Sequence, residues 1–361
     1  MKILDRYIIF KYLGSYVFML LVLMSIAIVF DVSEKLEDFI RTQVTFKEIV
    51  LDYYLNFFLH YASLLSSFIA FLTVIYFTSM LTARSEIIAV LSGGVSFQRL
   101  LLPYIVGASI IALGTGLLNH FVIPQANKER LLFESRNTNY SDKFSGVHLE
   151  IEPGRIVYYK LFYAKNIYVD RFWMENWEDD GSGKKVLVSE MQADRAYGDS
   201  VSNKWKLENW FIRYHKDLSQ KIVTGRELDT VFNFKLTDLG QRESSFAALN
   251  TPDLIEYRDK ELKKGSNQIA FIEIELHQRT SFPFATLILT LMGVSVASKK
   301  SREGIGLNIA LGLILGVTYI FVMKVTTVAA VNAGMNVLFA VWLPNILFTG
   351  VAIWLYRRAI Q

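Results

Sequence analysis

Six stretches of this 361-residue chain carry no charged side chain over lengths that soluble proteins seldom tolerate. They are Tyr12–Phe30, Tyr53–Ala83, Leu100–Asn127, Thr280–Ser298, Gly304–Met323 and Val325–Tyr356. Each supplies the roughly 20 residues a helix needs to cross a hydrocarbon core of about 30 Å. Lipid offers the backbone no hydrogen bonds, so every N–H and C=O must be paired within its segment, and such runs must be helices. The expected fold class is an α-helical membrane protein with six transmembrane helices and one inserted domain. Residues 1–127 should hold helices 1–3, residues 128–279 the insertion, and residues 280–361 helices 4–6.

The short loops predict an orientation, because Lys and Arg favour the cytoplasmic side. Lys2, Arg6 and Lys11 lie at the N-terminal end, Arg84 and Arg99 after the second run, Lys299, Lys300 and Arg302 after the fourth, and Arg357 and Arg358 after the sixth. Between the first two runs the balance reverses. There Asp31, Glu34, Glu37, Asp38, Glu48 and Asp52 outnumber Lys35, Arg41 and Lys47. One topology satisfies every loop: both ends in the cytoplasm and the large domain outside the membrane. The opening MKILDRYIIFKYLG is not expected to be a cleaved signal, since the run it enters is long enough to span and no small-residue cleavage site follows.

Residues 128–143 read as a helix continuing outward from the third span. From Gly146 the hydrophobic period changes to two, the mark of half-buried strands. Strands are expected at Val147–Ile151, Arg155–Phe162, Asn166–Phe172, Lys185–Met191, Lys204–Tyr214 and Lys221–Phe234. Turn residues separate them at Pro153-Gly154, Glu178–Gly183 and Gly198-Asp199-Ser200. Short antiparallel strands so spaced predict a sandwich or an open, jelly-roll-like all-β domain. Thr251-Pro252-Asp253 should then start a helix running to Lys264 and stopped by Gly265. A second helix from about Gln268 should lead into the fourth span.

Several chemistries find no residues to carry them. The chain has no cysteine, hence no disulfide, thiol nucleophile or Cys-based zinc site. A net charge of +4 on this length gives no sign of nucleic-acid binding. His60, His120, His148, His215 and His277 are scattered, and no pair of acids lies in mid-span. The segment Asp180-Gly181-Ser182-Gly183-Lys184-Lys185 resembles a phosphate loop only superficially. A true one needs Gly five places before its Gly-Lys and Ser or Thr after the Lys, where this chain has Glu178 and Lys185. It reads as a hairpin turn. No catalytic site and no cofactor are expected.

Two features are more informative. In the loop Thr82–Gln98, Ile87, Ile88, Val90 and Leu91 have helical spacing, and Ser92-Gly93-Gly94 can close the turn in a left-handed cap. Arg84 and Glu86 stand at its start. This is either an interfacial helix whose Glu86 complements the helix dipole, or a coupling helix that fits a groove on a cytoplasmic motor subunit. Lys324 breaks an otherwise apolar stretch toward the outer end of the fifth span. A charge there must snorkel, pair or line a polar cavity. It either reaches the outer interface or meets an anionic headgroup inside the bundle.

With these residues in view, the chain resembles the lipopolysaccharide-export permeases, the LptF/LptG family, over essentially its whole length. The likeness rests on Leu4-Asp5-Arg6-Tyr7-Ile8 opening the first span and Arg84-Ser85-Glu86-Ile87-Ile88 followed by Ser92-Gly93 after the second. It rests also on Pro124-Gln125 leaving the third span and on the three-plus-three layout around a β domain. The resemblance implies one permease of an ABC exporter, paired with a second homologous permease on a cytoplasmic ATPase dimer. It implies that lipopolysaccharide enters between the first and fifth spans of opposite subunits. ATP-driven closure would pass the lipid into the β domain, and a bitopic jelly-roll partner would hand it to a periplasmic bridge. On this resemblance Arg84, Glu86, Ile87 and Ile88 contact the ATPase, and Lys324, Lys35 and Arg41 are candidates for lipid binding. Some relatives carry basic residues near the outer end of the first span, where this chain has Ala27, Ile28, Val29 and Phe30. A permease for another lipid or a lipoprotein, and a membrane-anchored assembly scaffold, are the alternatives.

Overall fold

In the computed structural model the described residues are 3–138, 143–163, 168–179, 184–198, 204–216, 219–232, 234, 243–264, 268–299 and 305–360. The expected turns at 180–183 and 199–200, the stop at Gly265, and Lys300 and Arg302 lie outside them. The chain divides into two compact units. One comprises Met1–Phe133, Ala247–Thr251 and Glu273–Gln361, the other Glu134–Phe246 and Pro252–Ile272.

The first unit is helical. Its elements are α1 (Ile3–Thr42), α2 (Phe46–Glu48), a π-helical turn (Ile49–Tyr54), α3 (Leu55–Ala83), α4 (Glu86–Ser92), α5 (Phe97–Phe121), and the start of α6 (Ile123–Asn137). After the insertion come most of α9 (Ile269–Ala297), then α10 (Ile305–Asn332) and α11 (Val337–Ile360). Among the described residues, six helical segments are long and apolar enough to cross a membrane, one for each run in the sequence. Several extend past the uncharged runs. Helix α1 continues through its acidic stretch to Thr42, and α10 continues past Lys324 to Asn332.

Small and hydroxylated residues hold these helices together, as expected where lipid tails remove any hydrophobic drive between them. A Cβ on Gly293 of α9 would lie 2.4 Å from Val74 Cγ1 of α3, and one on Gly316 of α10 would lie 2.6 Å from Phe68 Cε2. Only glycine allows these approaches. Tyr16 and Ser66 share a hydrogen bond of 2.7 Å between α1 and α3, and Ser67 and Thr286 one of 2.9 Å between α3 and α9. Asn308 Nδ2 donates to Ser79 Oγ at 3.1 Å, joining α10 to α3. Asn345 of α11 donates to Ser281 Oγ at 3.0 Å and accepts from the Tyr319 hydroxyl at 3.0 Å, tying three helices together. Arg279 of α9, only 3% exposed, binds Glu275 Oε1 at 2.9 Å, Thr251 Oγ1 at 2.9 Å and the Leu249 carbonyl at 2.8 Å. These bonds fix the short segment 247–251 against the helices, and His120 Nδ1 meets Thr251 Oγ1 at 2.9 Å.

The second unit is built on a six-stranded antiparallel sheet, with α7 (Glu243–Phe246) and most of α8 (Thr251–Lys264). Its strands are β1 (Lys143–Glu152), β2 (Arg155–Tyr163), β3 (Tyr168–Asp179), β4 (Lys185–Gly198), β5 (Lys204–Lys216) and β6 (Ser219–Val231). They pair in sequence order, as one meander. Gly154, at φ +80°, makes the β1–β2 turn, where a Cβ would strike the Trp177 carbonyl oxygen at 2.3 Å. Along one line across the sheet every strand skips a pairing, at Gly146, Lys160, Arg171, Asp194, Asn209 and Arg226. Arg171 and Asn209 are left-handed there, with φ +50° and +48°. This crease shifts the alternation, as a bulge does. Val169 and Phe172, then Ala193 and Ala196, therefore all face one core although each pair is three residues apart. That core also takes Trp205, Phe232 and Phe234. Phe232, just past β6, lies 5.6 Å from the ring of Phe172 on β3. In a flat sheet three strand spacings would separate them by about 14 Å, so the sheet and the chain leaving it fold over the core. The expected jelly-roll-like enclosure is achieved by one creased meander, with no crossover among the described strands.

Candidate functional site

The loop after α3 folds into a short helix because its sequence supplies a stop and a start at each end. Ser85 takes a left-handed conformation (φ +61°) and breaks α3 from α4. Gly93 and the left-handed Gly94 (φ +84°) close α4. Ser96 then caps α5, its hydroxyl accepting from the Arg99 amide at 3.3 Å. The four residues singled out here do not share one face. Ile87 is buried in the cluster that contains Leu81, Phe97 and Leu100, with Val90 and Leu91 packed against it. Arg84 and Ile88 are exposed, and Glu86 is half-buried. Helix α4 is thus seated on the bundle by Ile87 and presents an exposed face carrying Ile88 and Ala89.

The ends of other helices gather around it. Thr82 Oγ1 donates to the Ala297 carbonyl at 2.8 Å, joining the ends of α3 and α9. Phe97 packs on Tyr356 with ring centres 5.8 Å apart, and Lys299 bonds the Arg358 carbonyl. Asp5, buried in the first turn of α1, receives both ends of the Arg99 guanidinium at 2.7 Å. Sequence reasoning placed Asp5 in a motif and Arg99 in a basic loop but missed their pairing. The available signal was a lone acid in an otherwise basic end of the chain.

The three candidate lipid-binding cations do not converge. Lys324 is exposed on α10, in a stripe with Ile314, Val317, Phe321 and Val328, and no carboxylate pairs with it among the described residues. Lys35 is largely withdrawn. It pairs with Asp31 at 3.0 Å, hydrogen-bonds the Tyr53 hydroxyl, and lies 4.7 Å from that ring's centre. Tyr53 and Tyr54 both donate to Asp31, at 3.0 and 3.2 Å. The π-helical turn that aims these two tyrosines was not predicted, because period alone does not distinguish one widened turn from an α-helix. Arg41 forms an exposed pair with Asp38 at 3.1 Å.

Six membrane-length helices among the described residues, a short helix seated among their ends, and an inserted unit built on an antiparallel sheet define a multi-pass membrane protein. The family model described as "Lipopolysaccharide export system permease LptF/LptG" matches residues 6–358, nearly the whole chain. The chain belongs to that family, and so to the multi-pass proteins of the inner membrane. No curated protein sequence matches it.

Proposed function

We propose that this chain is one of two homologous permease subunits of an ABC exporter that lifts lipopolysaccharide out of the inner membrane. The family match over residues 6–358 carries this reading. Both chain ends and α4 face the cytoplasm, where an ATPase dimer takes the exposed face of α4, with Arg84, Glu86 and Ile88 at the contact and Ile87 as its anchor. The β unit lies in the periplasm and receives the lipid, then passes it through a bitopic jelly-roll partner toward the outer membrane. Lys324 meets an anionic headgroup. Lys35 and Arg41, each already paired with an acid one turn away on the first span, would reach the lipid only by exchanging Asp31 or Asp38 for its phosphate.

The energetics demand such an assembly. Withdrawing acyl chains from apolar surroundings costs about 0.8 kcal/mol per CH₂. A lipid with several chains therefore needs both an external energy source and an apolar surface to receive it. The creased sheet has an aromatic core built on Phe172, Trp205 and Phe232, the kind of surface that can accept acyl chains if it opens.

The test is purification with the ATPase and the second permease, followed by reconstitution with lipopolysaccharide. ATP-dependent release of that lipid to a soluble periplasmic acceptor is the expected result. A stable complex that releases another lipid or a lipoprotein instead would change the cargo. A chain that binds no ATPase would leave the scaffold reading in its place.

A further inference from the structure

Resting on the permease reading above, we propose that the Asp5–Arg99 ion pair is a positioning clamp that makes α1 follow α5 when α4 is displaced. The pair is bidentate, both bonds are 2.7 Å, and the Asp5 side chain is 3% exposed. Arg99 is half-exposed, so the pair contributes modest stability, but the two-pronged fork on a buried carboxylate fixes geometry tightly. Its position gives that geometry a use. Helix α4 connects to α5 through Gly93, Gly94 and the Ser96 cap, and Arg99 stands in the first turn of α5. Asp5 stands in the first turn of α1. Ile87 of α4 shares one core cluster with Ile8 of α1 and with Phe97 and Leu100 of α5. A push on α4 therefore reaches both helices at their roots, and the clamp prevents them from separating.

A second contact lies further along the same two helices. A Cβ on Gly107 of α5 would lie 2.7 Å from Tyr12 Cδ1 of α1, so the ring sits directly on the α5 backbone. Beyond Tyr12, α1 shows a mostly apolar exposed face at Phe18, Leu21 and Val22. The opposite side of α1 packs on α3 through the Tyr16–Ser66 bond and the buried Met24, so a shift at its root carries the helix, with its exposed face, as one body. The clamp converts displacement at the motor-facing end into displacement of that face.

The experiment uses the reconstituted complex with its ATPase and second permease in vesicles containing lipopolysaccharide. Asp5→Asn and Arg99→Gln should leave assembly and ATP hydrolysis near wild type. Lipid released per ATP should fall about tenfold, the size of a typical coupling between sites. Arg99→Lys, which keeps the charge and loses the fork, should fall between, and the swap Asp5→Arg with Arg99→Asp should recover most of the loss. Unchanged release per ATP in the two single variants would overturn the clamp, as would a loss the swap does not recover. A readout without lipid separates this proposal from the transport reading. The chain has no cysteine, so spin labels at Leu21→Cys and Leu113→Cys, both exposed positions, report the α1–α5 distance. That distance should hold steady on ATP addition in the wild-type background and change in Asp5→Asn. Equal behaviour in the two backgrounds overturns the clamp even if the wild type moves no lipopolysaccharide, an outcome that would remove the cargo reading instead.

Discussion

Helices α1 and α3 both lie in segments fit for a membrane, yet 6% of the most apolar window of α1 is buried in the molecule and 61% of that in Phe46–Ala83. Apolar character does not explain the difference, because lipid serves an apolar side chain as well as a protein interior does. The difference lies in small and polar residues. Helix α3 buries Ser63, Ser66, Thr73, Thr78 and Ser79, and it receives the glycines of α9 and α10. Helix α1 exposes Phe18, Leu21, Val22, Ile26, Val29 and Phe30. Helix α10 combines both kinds of face. Gly312 and Gly316 are buried, while Ile314, Val317 and Phe321 point away. In this molecule the packed faces set glycine, serine and threonine beside large apolar residues, as α3 buries Phe71, Val74, Ile75 and Phe77 together with its hydroxyls, whereas the open faces of α1 and α10 are lined mainly by large apolar residues.

The largest effect should come from breaking the packed face. Gly293→Leu places a side chain where Val74 Cγ1 already stands 2.4 Å from the Cβ position, with Phe71 and Ile75 at 3.2 Å. Valine has one favoured rotamer in a helix and cannot swing aside. Overpacking of this kind costs about 3 kcal/mol, so the variant should lose most of its folded yield in detergent. Phe18→Leu on the open face of α1 should change that stability by less than about 0.5 kcal/mol. Equal effects at the two positions would break the comparison.

The same contrast recurs on α4 within two adjacent residues. Ile87→Ala removes a buried side chain and should destabilise the bundle by about 2–4 kcal/mol. Ile88→Ala should leave thermal unfolding of the isolated permease unchanged while weakening its hold on the ATPase, measured by co-purification. A stable Ile87→Ala chain would mean that α4 is not seated by that residue.

Much of this architecture was legible in the residues. Six apolar runs gave six helices, and Ser92-Gly93-Gly94 and Ser96 marked where α4 ends and α5 begins. Pairings between distant residues were not legible. Asp5 and Arg99 lie at the starts of different helices, and Arg279 meets Leu249 and Thr251 only once the chain has returned from the insertion. Period two located the strands but not the crease, since Arg171 has no left-handed preference, and Asn209, which tolerates that conformation, stands within a run of strand formers. Lys35 appeared as a loop cation until Asp31, one helical turn away, and Tyr53, beyond the next bend, enclosed it.

Lys324 tests the open faces in a different way. It is the charge in an exposed apolar stripe of α10. If it meets a phosphate in partly dry surroundings, the charge-assisted bond contributes about 1.5–3 kcal/mol. Lys324→Gln should then reduce lipopolysaccharide loading about tenfold, Lys324→Arg should keep part of it, and a photocrosslinker at 324 should capture that lipid. Capture of bulk phospholipid alone, with normal loading in the Gln variant, would make Lys324 a residue that merely snorkels to the interface.

The smallest effect separates shape from hydrogen bonding on the packed faces. Asn345 is 3% exposed, and its amide reaches both the hydroxyl and the carbonyl of Ser281 while accepting from Tyr319. Leucine has the same branched skeleton with two methyl groups in place of the amide oxygen and nitrogen, so Asn345→Leu removes the bonds, keeps the shape and adds only the bulk of those methyls. Hydrogen bonds between membrane helices contribute about 0.6 kcal/mol on average, because the separated helices find other partners. The substitution should therefore cost about 1 kcal/mol or less, well below Gly293→Leu. A cycle with Tyr319→Phe isolates the Tyr319–Asn345 bond, and the coupling should be near the average for such bonds. A coupling of several kcal/mol would reverse the order assigned to these faces, with polar bonds rather than glycine-mediated closeness deciding which helices pack.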